Sequence, residues 1–142
     1  MKIKRYDKVQ EFYTMLKSAI NAYEKTEKNS EEFARKEETL ISYFNDTIDA
    51  VRREIFFCHS GIIAMATQIK AITDRKISKN DLRQDIEKLQ NKLISLTNLL
   101  KKLKDKAKGL GLAGKISALN AIDCQIDKEK EDNLLDMLER HY

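Results

Sequence analysis

The sequence predicts an all-α fold: an elongated helical bundle of three to four helices, built around an antiparallel coiled-coil hairpin. Apolar residues fall at Leu82, Ile86, Leu89, Leu93, Leu96, Leu100, Leu103, Ala107 and Leu110, in alternating steps of four and three. That is the 3.5-residue repeat of a coiled-coil seam. Proline is absent from all 142 residues, so nothing has to interrupt a long helix. Charged residues make up 35% of the chain, and Lys, Glu, Leu, Ile and Ala dominate, as in long-helix proteins. No stretch sustains a two-residue alternation, so no sheet is expected.

The first helix is expected over about residues 4–28, with Tyr6, Val9, Phe12, Tyr13, Leu16, Ile20 and Tyr23 on its apolar face. Asn29 or Ser30 then caps a second helix, 31–74, whose first turn holds Glu31 and Glu32 where the helix dipole favours acids. Its seam runs Phe44, Ile48, Val51, Ile55, Cys58, Ile62, Met65, Ile69 and Ile72. Phe33, Leu40 and Ile41 extend it backwards with a one-residue slip, and Ser60-Gly61 is a point where it can bend. The polar stretch Thr73–Lys79, with Ser78 and Asp81 as a cap-like start, leads into the third helix, 79–108. Three of the four glycines then fall in Gly109–Gly114, and a last helix is expected over 115–141 with Ile116, Leu119, Ile122, Ile126, Leu134, Leu138 and Tyr142. The whole of 1–142 reads as one helical domain.

Folding back at Thr73–Ser78 tests the two seams against each other. One constant register sets Met65 opposite Ile86, Ile62 opposite Leu89, Cys58 opposite Leu93, Ile55 opposite Leu96, Val51 opposite Leu100, Ile48 opposite Leu103 and Phe44 opposite Ala107. Every layer then pairs an a with a d position, as antiparallel helices require. The first helix, folded back at Glu27–Ser30, covers only the front half of the second. If the last segment continues the third helix past the glycines, it covers that same half, and a two-helix arm projects. If the glycines reverse the chain, a compact four-helix bundle results.

The basic start Met1–Lys8 is not followed by an apolar core, and the longest apolar run, Ile62–Ala66, is far short of the ~20 residues that cross a bilayer. The expectation is a cytoplasmic, non-transmembrane protein, with signal-independent export left open. Cys58 and Cys124 suit a reducing compartment better than a disulfide scaffold. Cys58, His59, Cys124 and His141 lack C-x-x-C, H-x-x-x-H or E-x-x-H spacing, so no metal and no cofactor is expected. With His59 and His141 the only histidines, no nucleophile–base pair stands out, and the chain reads as a non-enzyme.

Two sets of residues can carry binding. Phe56, Phe57 and Ile63 lie beside the seam of the second helix, and Ile94 and Leu99 beside that of the third; a two-helix arm cannot bury them alone. The last helix, a second copy of the chain, or a protein partner must cover them. Lys101, Lys102, Lys104, Lys106, Lys108 and Lys115 spread over several helix faces near the glycines and can hold phosphates of nucleic acid or of an anionic membrane. No aromatic residues interleave with them, which argues against base stacking. The net charge is only +4, and Asp123–Arg140 carries seven acids against three bases, so the segments of opposite sign can also pair internally. Gly109-Leu110-Gly111-Leu112-Ala113-Gly114 spells G-x-G-x-x-G, but a polar helical stretch precedes it rather than the buried strand of a dinucleotide site; a helix stop or a close helix crossing is the expected use.

Ser117-Ala118-Leu119-Asn120-Ala121-Ile122-Asp123 resembles the A-L-N-A stretch of the chemoreceptor signalling hairpin over those few residues. The acidic tail Asp127–Arg140 departs from that family's continuing seam, and no function is carried over. In size and charge the chain is similar to small helical export chaperones and to accessory proteins of phages and secretion systems. The expected function is that of a non-catalytic interaction module of adaptor, export-chaperone or inhibitor type, with a protein partner or a homodimer. Binding of nucleic acid or anionic membrane through 101–115 is the alternative.

Overall fold

Helix signals dominate locally, and the computed structural model, which describes residues 5–71, 79–119 and 128–141, follows them. The helices are α1 (Arg5–Lys25), α2 (Glu31–Ala71), α3 (Lys79–Gly109) and α4 (Lys128–His141), with short 3-10 turns at Ala113–Lys115 and Ser117–Leu119. The described residues are 92% helical and include no strand; α1 packs on α2 and α2 on α3, so the fold is an all-α bundle.

A short hinge of polar residues joins α1 to α2. Asn29 sits at φ 71°, in the left-handed region that asparagine tolerates better than most side chains. Ser30 is the N-cap: its Oγ accepts the Phe33 N–H at 3.0 Å and its hydroxyl donates to the Glu27 carbonyl at 2.8 Å. Such a cap contributes about 1 kcal/mol. Tyr23 and Phe33 stack across the turn with ring centroids 4.8 Å apart.

The chain divides into two compact units. Unit 1 comprises Met1–Glu54 and Asn98–Asp123; unit 2 comprises Ile55–Thr97 and Cys124–Tyr142. In unit 1 the apolar face of α1 is buried at Val9, Leu16 and Ile20, α2 buries Leu40, Phe44, Ile48, Ala50 and Val51, and α3 buries Leu103 and Ala107. Leu112, Ile116 and Ala118 of the turn region are also buried there. Thr47 is enclosed as well, its hydroxyl spent on the Tyr43 carbonyl at 2.7 Å. In unit 2, Ile62, Ala66 and Ile69 of α2, Ile86 of α3 and Leu134 of α4 form one core, flanked by half-buried Ile63, Met65, Leu82, Leu89, Leu93 and Leu135.

The expected register is legible in unit 2. Gly61 lies so close to α3 that an added Cβ would stand 2.9 Å from Leu89 Cδ1, and Ile62 shares its core with Leu89. Gly61 serves close helix approach here, and α2 runs through it as one helix. The Thr73–Ser78 fold-back itself lies outside the described residues, as do Ile72, Ile122, Ile126 and Tyr142.

The glycine-rich stretch is a helix stop. Leu112 N–H donates to the Ala107 carbonyl at 2.9 Å, Gly111 N–H donates to Lys108 at 3.0 Å, and Gly111 takes φ 73°. This is a Schellman ending with glycine at the left-handed position, and buried Leu112 and Ala107 supply its usual apolar contact. The expected last helix over 115–141 is corrected accordingly. Residues 113–119 form 3-10 turns broken by Ile116, whose backbone is extended (φ −96°, ψ 101°), and the described helix begins at Lys128.

Candidate functional site

The apolar residues beside the two seams separate once their surroundings are known. Phe57 and Ile94, both in unit 2, remain 40% and 61% exposed. Phe56 is half-buried and meets Phe57 edge to face, with ring centroids 5.9 Å apart. Ile63 packs against the core that contains Leu134, so it is occupied within its own unit. Leu99 is half-buried and belongs to unit 1. Of the nominated set, Phe57 and Ile94 are the large side chains left facing water. Met15 on α1 is a further exposed apolar residue, at 46%, that the seams did not single out.

The lysine run is partly answered inside unit 1. Lys106 Nζ lies 3.0 Å from Glu24 Oε1, and Lys115 Nζ 2.6 Å from Glu37 Oε1. The hydrogen bond and charge of Glu37 hold the Lys115 ammonium above the ordinary lysine range. Nearby, burial first and then the Glu37 charge push the Tyr23 phenol up, against a smaller lowering by Lys115. Lys101, Lys102 and Lys108 are exposed, and Lys104 is half-buried. The two ion pairs use acids of α1 and α2, which charge counting along the chain did not identify.

Lys102 and Lys106 do converge on something. They line a cavity of about 300 Å³ together with Leu103 and with Tyr13, Lys17, Ile20, Asn21 and Glu24 of α1. The α1 residues recur at helical spacing, so they form one face of that helix. Lys17 Nζ rests 4.7 Å from the centre of the Tyr13 ring.

Two polar constellations were invisible to seam analysis. Asn45 Oδ1 accepts the Ala118 N–H at 2.8 Å and the Ser117 hydroxyl at 3.3 Å, while Arg52 Nη1 donates to the Ala118 carbonyl. Both backbone groups of a buried residue thus find partners on one face of α2. These bonds replace the ones a helix through 115–119 would have made for itself. The stretch that resembles the chemoreceptor hairpin therefore begins, at 117–119, in a clamped 3-10 turn and not on a seam. In unit 2, His59 Nδ1 and Glu131 Oε2 lie 2.5 Å apart, with the Glu131 side chain only 3% exposed. Glu131 sits in the first turn of α4, where the dipole favours a carboxylate.

Cys58 is buried. Cys124 and the side chain of His141 lie outside the described residues. Among the described residues, no group of three or more His, Cys, Asp or Glu side chains could hold a metal ion, and no helix is long and apolar enough to cross a membrane. No family model matches the chain, nor does any curated protein or solved structure.

Proposed function

We propose that this chain is a non-catalytic interaction protein that offers helical faces of unit 2 to a protein partner, as an adaptor, export chaperone or inhibitor does. The observation that supports this is the exposure of Phe57 and Ile94 on two helices of one unit. A lone exposed apolar residue means little. Two large ones on the paired helices of one unit supply anchors of the kind on which interfaces depend; with 40% and 61% of their surface still exposed, burial by a partner adds roughly half of the ~1.5–3 kcal/mol of a full burial for each. A second copy of the chain is one form such a partner takes, and a cytoplasmic location goes with the reading. Nucleic acid or anionic membrane bound along 101–115 is the lesser reading, because Lys106 and Lys115 already hold carboxylates.

The test is the double variant Phe57→Asp/Ile94→Asp. The variant should keep the parent's helix content and a cooperative melt at a modestly lower midpoint, since neither side chain is enclosed but Phe57 loses its contact with Phe56. Sedimentation of the parent and the variant separates self-association from binding to another protein, and quantitative cross-linking in the host identifies the latter. Loss of a dimer or of a cross-linked partner in the folded variant supports the proposal. An unchanged oligomeric state together with an unchanged set of partners rejects it.

A further inference from the structure

We infer that the cavity between α1 and α3 in unit 1 binds a small amphiphilic anion: one carboxylate or phosphate head on a short apolar body. The inference does not rest on the partner surface of unit 2. The floor of the cavity is Ile20 and Leu103, which are 7% and 2% exposed, and Tyr13 forms an aromatic wall. Its rim carries Lys17, Lys102 and Lys106 against the single acid Glu24. Three lysines from two helices line one cavity, and Glu24 holds one of them, Lys106, at 3.0 Å. The remaining positive charge favours an anion held between Lys17 and Lys102. Lys17 lies over the Tyr13 ring, a weak cation–π contact that it can exchange for a charged head.

The size of the site limits its occupant. At about 300 Å³ the cavity stands at the bottom of the range for ligand sites. A polyanion would draw on the exposed lysines outside the cavity as well, Lys101 and Lys108 among them. A small amphiphile uses the floor, the aromatic wall and the two nearest ammonium groups together.

The test is a titration of isotope-labelled protein, followed by NMR, with decanoate, phenyl phosphate and inorganic phosphate. At least one of the two amphiphiles should shift the amides of Lys17, Asn21 and Lys102 in a saturable way. Whichever binds identifies the head, and inorganic phosphate should bind at least tenfold more weakly. Lys17→Glu/Lys102→Glu should lower the affinity at least tenfold, and the Lys108→Glu control should leave it within twofold. No saturable shift from either amphiphile, equal binding of inorganic phosphate, or an equal loss in the Lys108→Glu control would each overturn the inference.

Discussion

Unit 1 and unit 2 share the two long helices but bury them differently. In unit 1, Val9, Leu16, Leu40, Phe44, Ile48, Val51, Ala107 and Ile116 have no exposed surface, and side chains of α2 clamp both polar groups of the Ala118 backbone. Among the described residues of unit 2, Ile62, Ala66, Ile69 and Leu96 are likewise enclosed, with Cys58, Ile86 and Leu134 nearly so, and Ile63, Met65, Leu82, Leu89, Leu93 and Leu135 around them are half-buried. A largely buried polar pair, His59–Glu131, also joins α2 to α4 in unit 2. Both units leave large apolar side chains in water: Met15 in unit 1, and Phe57 and Ile94, on two different helices, in unit 2.

The largest expected effect lies in the core of unit 1. Phe44→Ala removes a fully buried aromatic ring and should lower stability by about 3–5 kcal/mol, measured by denaturant melts. Set beside Ile62→Ala in unit 2, a Phe44→Ala loss below about 1 kcal/mol would show that burial in unit 1 does not translate into tight packing and would break the comparison. A smaller effect is expected at the polar pair. Glu131→Ala leaves a largely buried imidazole nitrogen without its carboxylate and should cost about 1–3 kcal/mol, with Glu131→Gln losing less because it keeps an acceptor. Hydrogen exchange in α4 is the readout, and unchanged protection in the alanine variant would mean that apolar contacts alone hold α4.

The smallest effect concerns alkaline pH in unit 1. Tyr23 keeps its proton in the folded chain above the ordinary tyrosine value of about 10, so the folded state binds more protons there than the unfolded one. Stability contributed this way falls as pH rises through that window. Lys115 stays charged above the ordinary lysine value of about 10.4. Its contribution is complete below that value and is lost as pH rises through its raised folded one. Both groups therefore act in the same direction. Glu37 raises both, so Glu37→Gln should flatten the fall in melting temperature between about pH 9 and pH 11. An unchanged fall would mean that the cluster has no part in alkaline stability.

Much of this architecture could be read from the residues. The heptads placed α2 and α3 nearly to their ends, Ser30 marked the start of α2, and the fold-back register predicted that Ile62 and Leu89 would share a core. The Gly109–Gly114 stretch, read as a helix stop from the polar helix before it, does end α3. The segment 115–119 was misread because Ile116 and Leu119 continue a helical spacing, while the bonds that fix the turns come from Asn45 and Arg52 on another helix. Which of the side chains beside the seams stay exposed was only partly legible for a similar reason. Position beside a seam shows that a side chain lacks a partner on the paired helix, but not whether Leu134 of α4 shares the core that Ile63 joins.

What the sequence determined by itself was helix: the absence of proline, the four-three spacing and the caps act over a few residues and need no distant partner. What only the tertiary structure decided was which polar groups are used and which apolar ones are left over. Ala118 finds its partners 66 and 73 residues away, and His59 finds Glu131 at a separation of 72. Pairings at such separations leave no period in the chain, because they depend on how whole helices stack and not on the turn-by-turn geometry of any one of them.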